Sequence, residues 1–452
     1  MSIRAVAGAV VASIALLAVA CSSSASSKAG PTTTAAPSAA LQLGKENLST
    51  APGPGPEVTV SAGSRDTQGV TPTQISVGGL AAITGPLGNQ YSGIFDGAEA
   101  YFAELNAQGG VNGRTIKYVA KLDDATNPSR NAAQARALNE EYGAFAVVGV
   151  ASPFFPSGKY LGAEGVPTFG WNVNPEWEGP PGLFGEKGSA LDFTGPEPGF
   201  PYLVKKIGAT NVGTIAYGVP QSSDCSTGYV NSLHKYGMKT TFQDVNLPFG
   251  ATDITADVDR MQQAHIDMIA TCLDDTGNTL VSRSLQQANF NIKQYWPNGY
   301  SAATLAKFAD VMEGVYVYAN HVPFEAANTS PGSQQFLAAM QKYEPGKPIS
   351  EVALAGWINA DLFTQGLRMI GPNVGRAALI NAINSTRSFT ANGIFSSKAP
   401  VDWYYAHHVL PRAPHPDCSA YIQVQHGKFV PIFGTPSDPF VCIDHLTATL
   451  PN

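Results

Sequence analysis

Residues 84–128 read TGPLGNQYSGIFDGAEAYFAELNAQGGVNGRTIKYVAKLDDATNP and carry the clearest secondary-structure pattern of the chain. An apolar strand at 75–83 precedes it, and a strand-like run at 115–121 lies inside it. Between the two strands, apolar side chains recur at helical spacing until Gly109-Gly110 ends the helix; they are Ile94, Ala98, Tyr101, Phe102 and Leu105. A strand, a helix and a second strand in this order predict a βαβ unit with parallel strands.

The alternation of strands and helices continues along the chain in two series. The first adds a helix at 131–142 and strands at 144–150 and 166–169. The second has predicted strands at 212–217, 239–245, 266–271, 292–296 and 315–318, separated by helical segments. Long helices and a hairpin around His426-Gly427 follow. This pattern predicts an α/β fold with two Rossmann-like lobes built on parallel sheets.

Composition excludes several classes of protein. The chain has 452 residues, of which 13% are charged, and 34 acidic against 27 basic residues give a net charge of −7. No basic stripe occurs, so a nucleic-acid partner is not expected. No run of 18 apolar residues follows residue 21, so the mature chain is expected to have no spanning helix.

The N-terminal residues have the pattern of an export signal. Arg4 precedes an apolar run that ends in small side chains and is too short to be a typical membrane span. The sequence LAVAC at 17–21 is similar to a bacterial lipoprotein box, although Ala18 departs from its usual residue. We therefore expect a signal peptide at 1–20, lipid attachment at Cys21 and a flexible tether over 21–70. A secreted protein without a lipid is the alternative.

Four further cysteines favour two disulfides in an oxidising compartment, and four cysteines allow three pairings. We favour Cys225–Cys272, because neighbouring parallel strands would bring these residues together. We also favour Cys418–Cys442, because these residues flank the predicted hairpin. A zinc site is the alternative and lacks a recognised ligand spacing; it would use His407, His408, His415 and Cys418.

No sequence motif of catalysis or phosphate binding is present. Two carboxylate pairs, Asp123-Asp124 and Asp274-Asp275, have the composition that acid–base catalysis uses. The first pair lies in DDATNP, which is typical of a turn. The second follows the strand at 266–271, so it can either face a cleft or cap the next helix. We expect a protein that binds a ligand, with no enzyme activity, cofactor or metal.

Several segments, taken in order, resemble the extracellular substrate-binding proteins of branched-chain amino acid ABC transporters, which have the type I periplasmic-binding-protein fold. The segments are TGPLG (84–88), DGAEAYFAELNAQGGVNGR (96–114), DDATNP (123–128), AVVGVASP (146–153), GVPTFGWNVNPEW (165–177), HIDMIATC (265–272) and AYIQVQHGKF (420–429). The resemblance covers roughly residues 71–433. It implies two lobes that are joined by a three-crossing hinge and close on a small polar molecule.

The resemblance also implies how the chain is divided between the lobes. Lobe I is expected to comprise residues 71–200 and 321–395. Lobe II is expected to comprise residues 201–320 and 396–452.

The resemblance places the carboxylate of an amino-acid ligand near a helix start after the third strand. Ser152 with Pro153 suits such an anion site, and Ser157 is a competitor because the alignment slips in this loop. The second segment that binds the ligand carboxylate in the family corresponds to Trp171 and Asn172 here, where amino-acid receptors usually have a small residue and a threonine.

The residues expected to bind the ammonium group of an amino-acid ligand differ from the family as well. Asn298 stands where leucine-type receptors have a glutamate, so Asp274 or Asp275 would have to replace that charge. A tyrosine that faces the cleft in the family falls on Cys225. Aromatic side chains that could cover a ligand, or simply pack in the core, are Tyr91, Phe154, Trp171 and Trp296.

These observations predict a monomeric receptor, anchored by a lipid to the outer face of the cytoplasmic membrane, that delivers a small molecule to an ABC permease and its ATPase. A branched-chain or other neutral amino acid is the first ligand class. An aromatic or aliphatic carboxylate, an amide or a urea-like compound is the second. A sensory protein that reports to a partner is the alternative role.

Overall fold

The computed structural model describes residues 42–51, 65–85, 90–188, 194–408 and 416–451. The first series of elements forms a five-stranded sheet in the order β2-β1-β3-β4-β5, with every pair parallel. Its elements are β1 (Gln74–Ala81), α1 (Gly93–Ala107), β2 (Thr115–Asp123), α2 (Pro128–Glu140), β3 (Ala146–Ala151), α3 (Gly158–Ala163), β4 (Thr168–Gly170) and β5 (Leu183–Gly185). This sheet is the centre of lobe I.

The second series builds lobe II around the strand order β7-β6-β8-β9-β10, also with parallel pairs. Its elements are α4 (Gly199–Ile207), β6 (Asn211–Tyr217), α5 (Pro220–Lys235), β7 (Lys239–Leu247), α6 (Thr255–Gln263), β8 (Met268–Cys272), α7 (Asp275–Gln287), β9 (Lys293–Tyr295), α8 (Ala302–Met312) and β10 (Tyr316–Ala319). The expected fold class, two α/β lobes on parallel sheets, is confirmed.

The chain then returns to lobe I with α9 (Pro331–Tyr343), α10 (Glu351–Ile370), α11 (Arg376–Asn384) and α12 (Trp403–His408). Helix α10 lies against α1 at very short range, because both helices carry a glycine at the contact. A Cβ atom on Gly97 would lie 1.7 Å from the carbonyl oxygen of Ala353, and one on Gly356 would lie 1.9 Å from that of Ile94. These two glycines therefore fix the spacing of the helices behind the sheet.

Three antiparallel strands complete lobe II, namely β11 (Asp417–Gln425), β12 (Lys428–Pro431) and β13 (Val441–Ile443). The hairpin between β11 and β12 turns at His426 and Gly427, whose φ angles of 53° and 68° suit a tight turn. The hairpin predicted at this position is confirmed.

The chain crosses between the lobes after β5, after β10 and after α12. Trp403 of α12 is buried in the lobe I core. The third crossing therefore follows residue 408, whereas the expected boundary of lobe I was residue 395. The reason is packing, since the indole of Trp403 lies edge-on to Phe184 of β5 with ring centroids 5.2 Å apart.

Both predicted disulfides are present, as Cys225–Cys272 and Cys418–Cys442. The first joins α5 to the end of β8, and the second joins β11 to β13. Because Cys418 is in a disulfide, it is not available as the zinc ligand of the alternative interpretation.

Residues 42–51 are packed on lobe I. Leu43 is 1% exposed in the lobe I core, and the backbone N–H of Gly44 donates to Oδ1 of Asp361 at 3.1 Å. This segment is folded, which corrects the expectation of a flexible tether over the whole of 21–70.

The predicted signal peptide, Cys21 and residues 22–41 and 52–64 of the predicted tether lie outside the described residues. No helix in the part of the chain that the structure describes is long and apolar enough to cross a membrane.

The carboxylate pair in DDATNP has a structural role. Asp123 Oδ1 accepts hydrogen bonds from the backbone of Ile83, Thr84 and Ala125 at 2.8–3.1 Å. Although partial burial opposes ionisation, these bonds and the one from the Thr84 hydroxyl lower the pKa of Asp123 to about 2. The carboxylate therefore ties the loop after β1 to the loop after β2.

Candidate functional site

A cavity of about 360 Å³ lies between the lobes, at the carboxyl ends of the strands of both sheets. Pro153 follows β3 and Trp171 follows β4, while Asp274 follows β8 and Asn298 follows β9. The other lining residues are Tyr91, Val173, Gly195, Glu197, Gly199, Phe200, Tyr217, Val219, Gln221, Ser222, Cys225, Gly228, Tyr229, Ser232, Phe249, Cys272, Leu273, Tyr295, Pro297, Tyr318, Asp417, Ser419 and Tyr421. A cavity of this size suits a small-molecule ligand.

The structure brings four of the predicted ligand-binding residues together at this cavity. They are Tyr91, Trp171, Asp274 and Asn298. The first two belong to lobe I and the last two to lobe II, so the predicted residues reach the cavity from both sides.

Ser152, Phe154 and Asn172 do not line the cavity. The Ser152 hydroxyl is buried and accepts a hydrogen bond from the backbone of Phe154, so it is used locally. The backbone N–H of Asn172 donates to the Glu186 carboxylate at 2.8 Å, and its side-chain amide donates to the carbonyl of Gly188. The helix expected after Ser152 begins only at Gly158, which leaves Ser152 without the role of a helix cap.

Asp275 and Trp296 also lie outside the cavity lining. Asp275 accepts a hydrogen bond from the Thr304 hydroxyl at 2.6 Å, on the side of α7 that faces α8. Burial raises the pKa of Asp275 to about 6, and the charge of Asp274 adds to this effect. Trp296 is completely buried in the core that α8 forms with β10 and β11, so it packs in the interior, which was the alternative role for this residue.

Asp274 combines the two roles that the sequence left open. It caps α7, because its Oδ1 accepts a hydrogen bond from the backbone N–H of Gly277 at 2.9 Å. The same oxygen accepts one from the Tyr217 hydroxyl at 2.5 Å, and the residue lines the cavity. Burial and the nearby Asp274 raise the pKa of the Tyr217 phenol, which therefore stays protonated and acts as the donor.

Two pairs of aromatic rings line the same cavity as Asp274 at the interface between the lobes. Tyr91 and Trp171 of lobe I have ring centroids 5.4 Å apart, and Tyr217 and Phe249 of lobe II stack at 4.2 Å. Burial, followed by the charge of Asp274, raises the pKa of Tyr91. A carboxylate among aromatic faces is an arrangement that attracts a cation, which can pair with the acid and lie over the rings.

The lobes touch each other beside this cavity. Gln221 Nε2 donates to the backbone carbonyl of Pro153 at 2.5 Å, and Phe249 packs against the apolar cluster of lobe I that contains Tyr91 and Trp171. The cavity is thus covered by both lobes.

The cavity also extends into lobe II, which the sequence interpretation did not foresee. One face of α5 lines it with Gln221, Ser222, Cys225, Gly228 and Ser232. Opposite lie rings from four other elements, namely Phe200, Tyr295, Tyr318 and Tyr421. The sequence of α5 did contain one signal of this extension. Small residues on a buried helix face leave space, which a core helix would instead fill with large apolar side chains.

The charged side chains that line the described part of the cavity are all carboxylates: Glu197, Asp274 and Asp417. No lysine, arginine or histidine is among the described lining residues. Lys187 lies close behind Tyr318, where its Nζ atom is 3.7 Å from the Glu186 carboxylate. The electrostatics of the described lining therefore favour a ligand with a positive charge or hydrogen-bond donors.

Comparison with known proteins supports the assignment of the fold. No curated protein sequence matches the chain significantly. A leucine-binding protein, LivK, from Thermotoga maritima is 15% identical, with a TM-score of 0.64 over 82% of this chain and 100% of that protein. A fatty acid ABC transporter substrate-binding protein from Thermomonospora curvata is 17% identical, with a TM-score of 0.65 over 83% and 93%.

A solute-binding protein of an ABC transporter from R. palustris, in complex with 4-hydroxybenzoate, is 18% identical and has a TM-score of 0.65 over 82% of this chain and 98% of that protein. At these identities the likeness shows a shared fold and does not give the ligand. The family model described as periplasmic binding protein matches residues 74–427. With its two lobes and the cavity between them, the chain belongs to the periplasmic binding protein family.

Proposed function

We propose that this protein is an exported receptor, lipid-anchored at Cys21, that captures a small molecule with an amine head between its lobes and delivers it to an ABC permease. Asp274 carries the ligand assignment, because its carboxylate lies in the cavity among four aromatic rings. The family and the N-terminal sequence pattern support the transport role and the export.

Neutral amino acids, including branched-chain ones, are the first amines to consider. Asp274 offers a partner for the α-ammonium group in place of the family glutamate that Asn298 replaces. The α-carboxylate would find only neutral donors among the described lining residues, such as the side-chain amide of Asn298. This asymmetry favours amines over amino acids, and amino acids over ligands whose only charge is a carboxylate.

Aromatic and fatty carboxylates are bound by similar folds and are the rival class. The aromatic walls of the cavity suit their apolar bodies. Their negative charge, however, would be buried near Asp274 with no described cation in the lining to compensate it, and such burial is costly.

The test is a thermal-shift screen of the chain from residue 22 onward against amines, neutral amino acids, amides, ureas and aromatic or aliphatic carboxylates. A ligand at a thousand times its Kd stabilises the folded state by about 4 kcal/mol, which gives a clear rise in Tm. We expect the largest rise with amines. A rise with carboxylates alone would overturn the assignment of an amine head.

The transport role has its own test. The full chain should fractionate with membranes, and Cys21→Ser should release it without changing the affinity for its ligand. Uptake of the ligand by cells should depend on the receptor and on a permease with its ATPase. A receptor that binds ligand but whose loss leaves uptake unchanged would instead support the sensory role.

A further inference from the structure

The cavity continues from Asp274 into the interior of lobe II along the whole inner face of α5. Eleven residues separate Gln221 from Ser232, and at the helical rise of about 1.5 Å per residue this face is about 16 Å long. Four of its lining residues have small side chains or none, namely Ser222, Cys225, Gly228 and Ser232, while Gln221 and Tyr229 are larger. A solute the size of a branched-chain amino acid, held at Asp274, would leave the inner part of this channel unfilled.

Aromatic rings form the opposite wall of the channel. Phe200 stacks on Tyr295 with ring centroids 4.9 Å apart, and the ring of Tyr229 reaches them from the α5 side, 4.5 Å from the ring of Phe200. Tyr295 in turn lies 6.3 Å from Tyr318 on the neighbouring strand. These contacts fix the rings against one another, so the channel has a rigid apolar wall that suits the hydrocarbon body of a ligand.

The inner end of the channel is polar. Phenol-bearing rings of α5, β9, β10 and β11 line this region, and the rings of Tyr229 and Tyr295 lie 5.7 Å apart. Ser232 Oγ accepts a hydrogen bond from the backbone N–H of Glu197 at 2.9 Å and lines the same region as Ser419. A ligand that reaches this end meets hydroxyl groups and the carboxylate residues Glu197 and Asp417 instead of further apolar surface.

We infer that the ligand is an elongated amphiphilic amine, whose ammonium head lies at Asp274, whose apolar body follows α5 and whose far end carries a hydrogen-bonding group. This inference rests on the proposed function, from which it takes the amine head. It adds the length and the polarity of the remainder of the ligand, which the resemblance to amino-acid receptors does not supply.

The first test is a series of amines of increasing length, measured by calorimetry with the unmodified chain from residue 22 onward. Propylamine, hexylamine and decylamine are compared with their ω-hydroxylated counterparts. Each buried methylene should tighten binding roughly fourfold, which corresponds to about 0.8 kcal/mol of transfer free energy. The ω-hydroxyl group should improve the affinity of the longest member and not that of the shortest.

The second test fills the channel with Gly228→Leu. A leucine at this helical position has a better helix propensity than glycine, so the helix itself is not expected to be destabilised. The variant should lose the gain in affinity with chain length. Thr227→Leu is the control and should keep the full gain, because Thr227 is a partly exposed residue of the same helix that is not among the described lining residues and bonds to Ser223 of that helix.

The outcomes separate the two proposals. Equal affinity for all chain lengths, or a gain that survives Gly228→Leu, would overturn the elongated ligand and leave the amine head at Asp274 intact. Failure of every amine to bind would overturn the amine head itself, and the inference with it.

Discussion

The two walls of the cavity have different chemistry. Lobe I contributes four described lining residues, all of them aromatic or apolar: Tyr91, Pro153, Trp171 and Val173. Lobe II contributes every carboxylate of the described lining together with the channel along α5. The difference fits the proposed function if lobe II recognises the ligand and lobe I covers it.

The lobes also differ in how they are stabilised. Lobe II holds both disulfides, while the described part of lobe I relies on a continuous apolar core. That core encloses Asp361, whose Oδ1 accepts hydrogen bonds from Tyr101 and from the backbone of Gly44. The predictions below test this contrast and the contrast between the cavity walls.

The largest effect is expected from removing a disulfide. The Cys225–Cys272 bond has a sequence separation of 47, and the chain-entropy relation gives it about 4 kcal/mol of stabilisation. The double variant Cys225→Ala/Cys272→Ala should therefore speed hydrogen exchange in lobe II peptides and leave lobe I peptides unchanged. The variant Cys418→Ala/Cys442→Ala, with a shorter separation of 24, should have a slightly smaller effect. Equal loss of protection in both lobes would contradict independent stabilisation.

The second effect concerns pH and lobe I. Burial raises the pKa of Asp361 to about 7, so the folded state keeps a proton that the unfolded state releases above about pH 4. Stability should therefore fall as the pH rises from about 4 to 7, by up to about 4 kcal/mol. Asp361→Asn keeps an acceptor for Tyr101. In this variant the free energy of unfolding, measured with urea, should no longer fall between about pH 4 and 7. An unchanged profile would show that Asp361 does not hold its proton in the folded state.

The third effect concerns the wall of the cavity that lobe II forms. Asp274→Asn removes the charge that faces the ligand and should weaken amine binding by about 2 kcal/mol, or roughly thirtyfold in Kd. Asp275→Asn is the matched control. The carboxylate of Asp275 is next to Asp274 in the sequence, but it bonds to Thr304 away from the cavity. Calorimetry should show a loss for the first variant alone. Equal losses would mean that charge near the start of α7, and not contact with Asp274, governs affinity.

The smallest effect is expected at Asn298, which lines the cavity as a neutral group. Asn298→Ala should weaken binding by about 1 kcal/mol, the usual contribution of one hydrogen bond. Together with Asp274→Ala the losses should be nearly additive if the two residues contact different parts of the ligand. Unchanged affinity in both alanine variants would exclude contact with the ligand at either residue.

Much of the fold could be predicted because its signals are local. The helical spacing from Ile94 to Leu105 and the glycines after it define α1 closely. The disulfide pairs followed from the strands beside each cysteine. The packed segment at 42–51 was missed because its Ser- and Pro-rich surroundings suggested a tether, while its contacts with Asp361 span more than 300 residues.

The cavity was predicted less completely, because its walls come from distant elements. Asp274 and Asn298 follow predicted strands, so their position at the cleft could be inferred. The rings of Phe200, Tyr295 and Tyr421 come together only through the order of strands and helices in lobe II, which no local pattern encodes. Trp296 was predicted to contact the ligand but is fully buried, because an aromatic side chain beside a cleft can belong entirely to the core.

The Cys225–Cys272 disulfide joins α5 to β8 where both residues line the cavity. This covalent link fixes α5 to the end of β8, two residues before Asp274, so it holds two parts of the cavity lining at a constant spacing. Reduction of the bond would release that spacing. The shape of the cavity therefore depends on oxidising conditions, in which the bond persists.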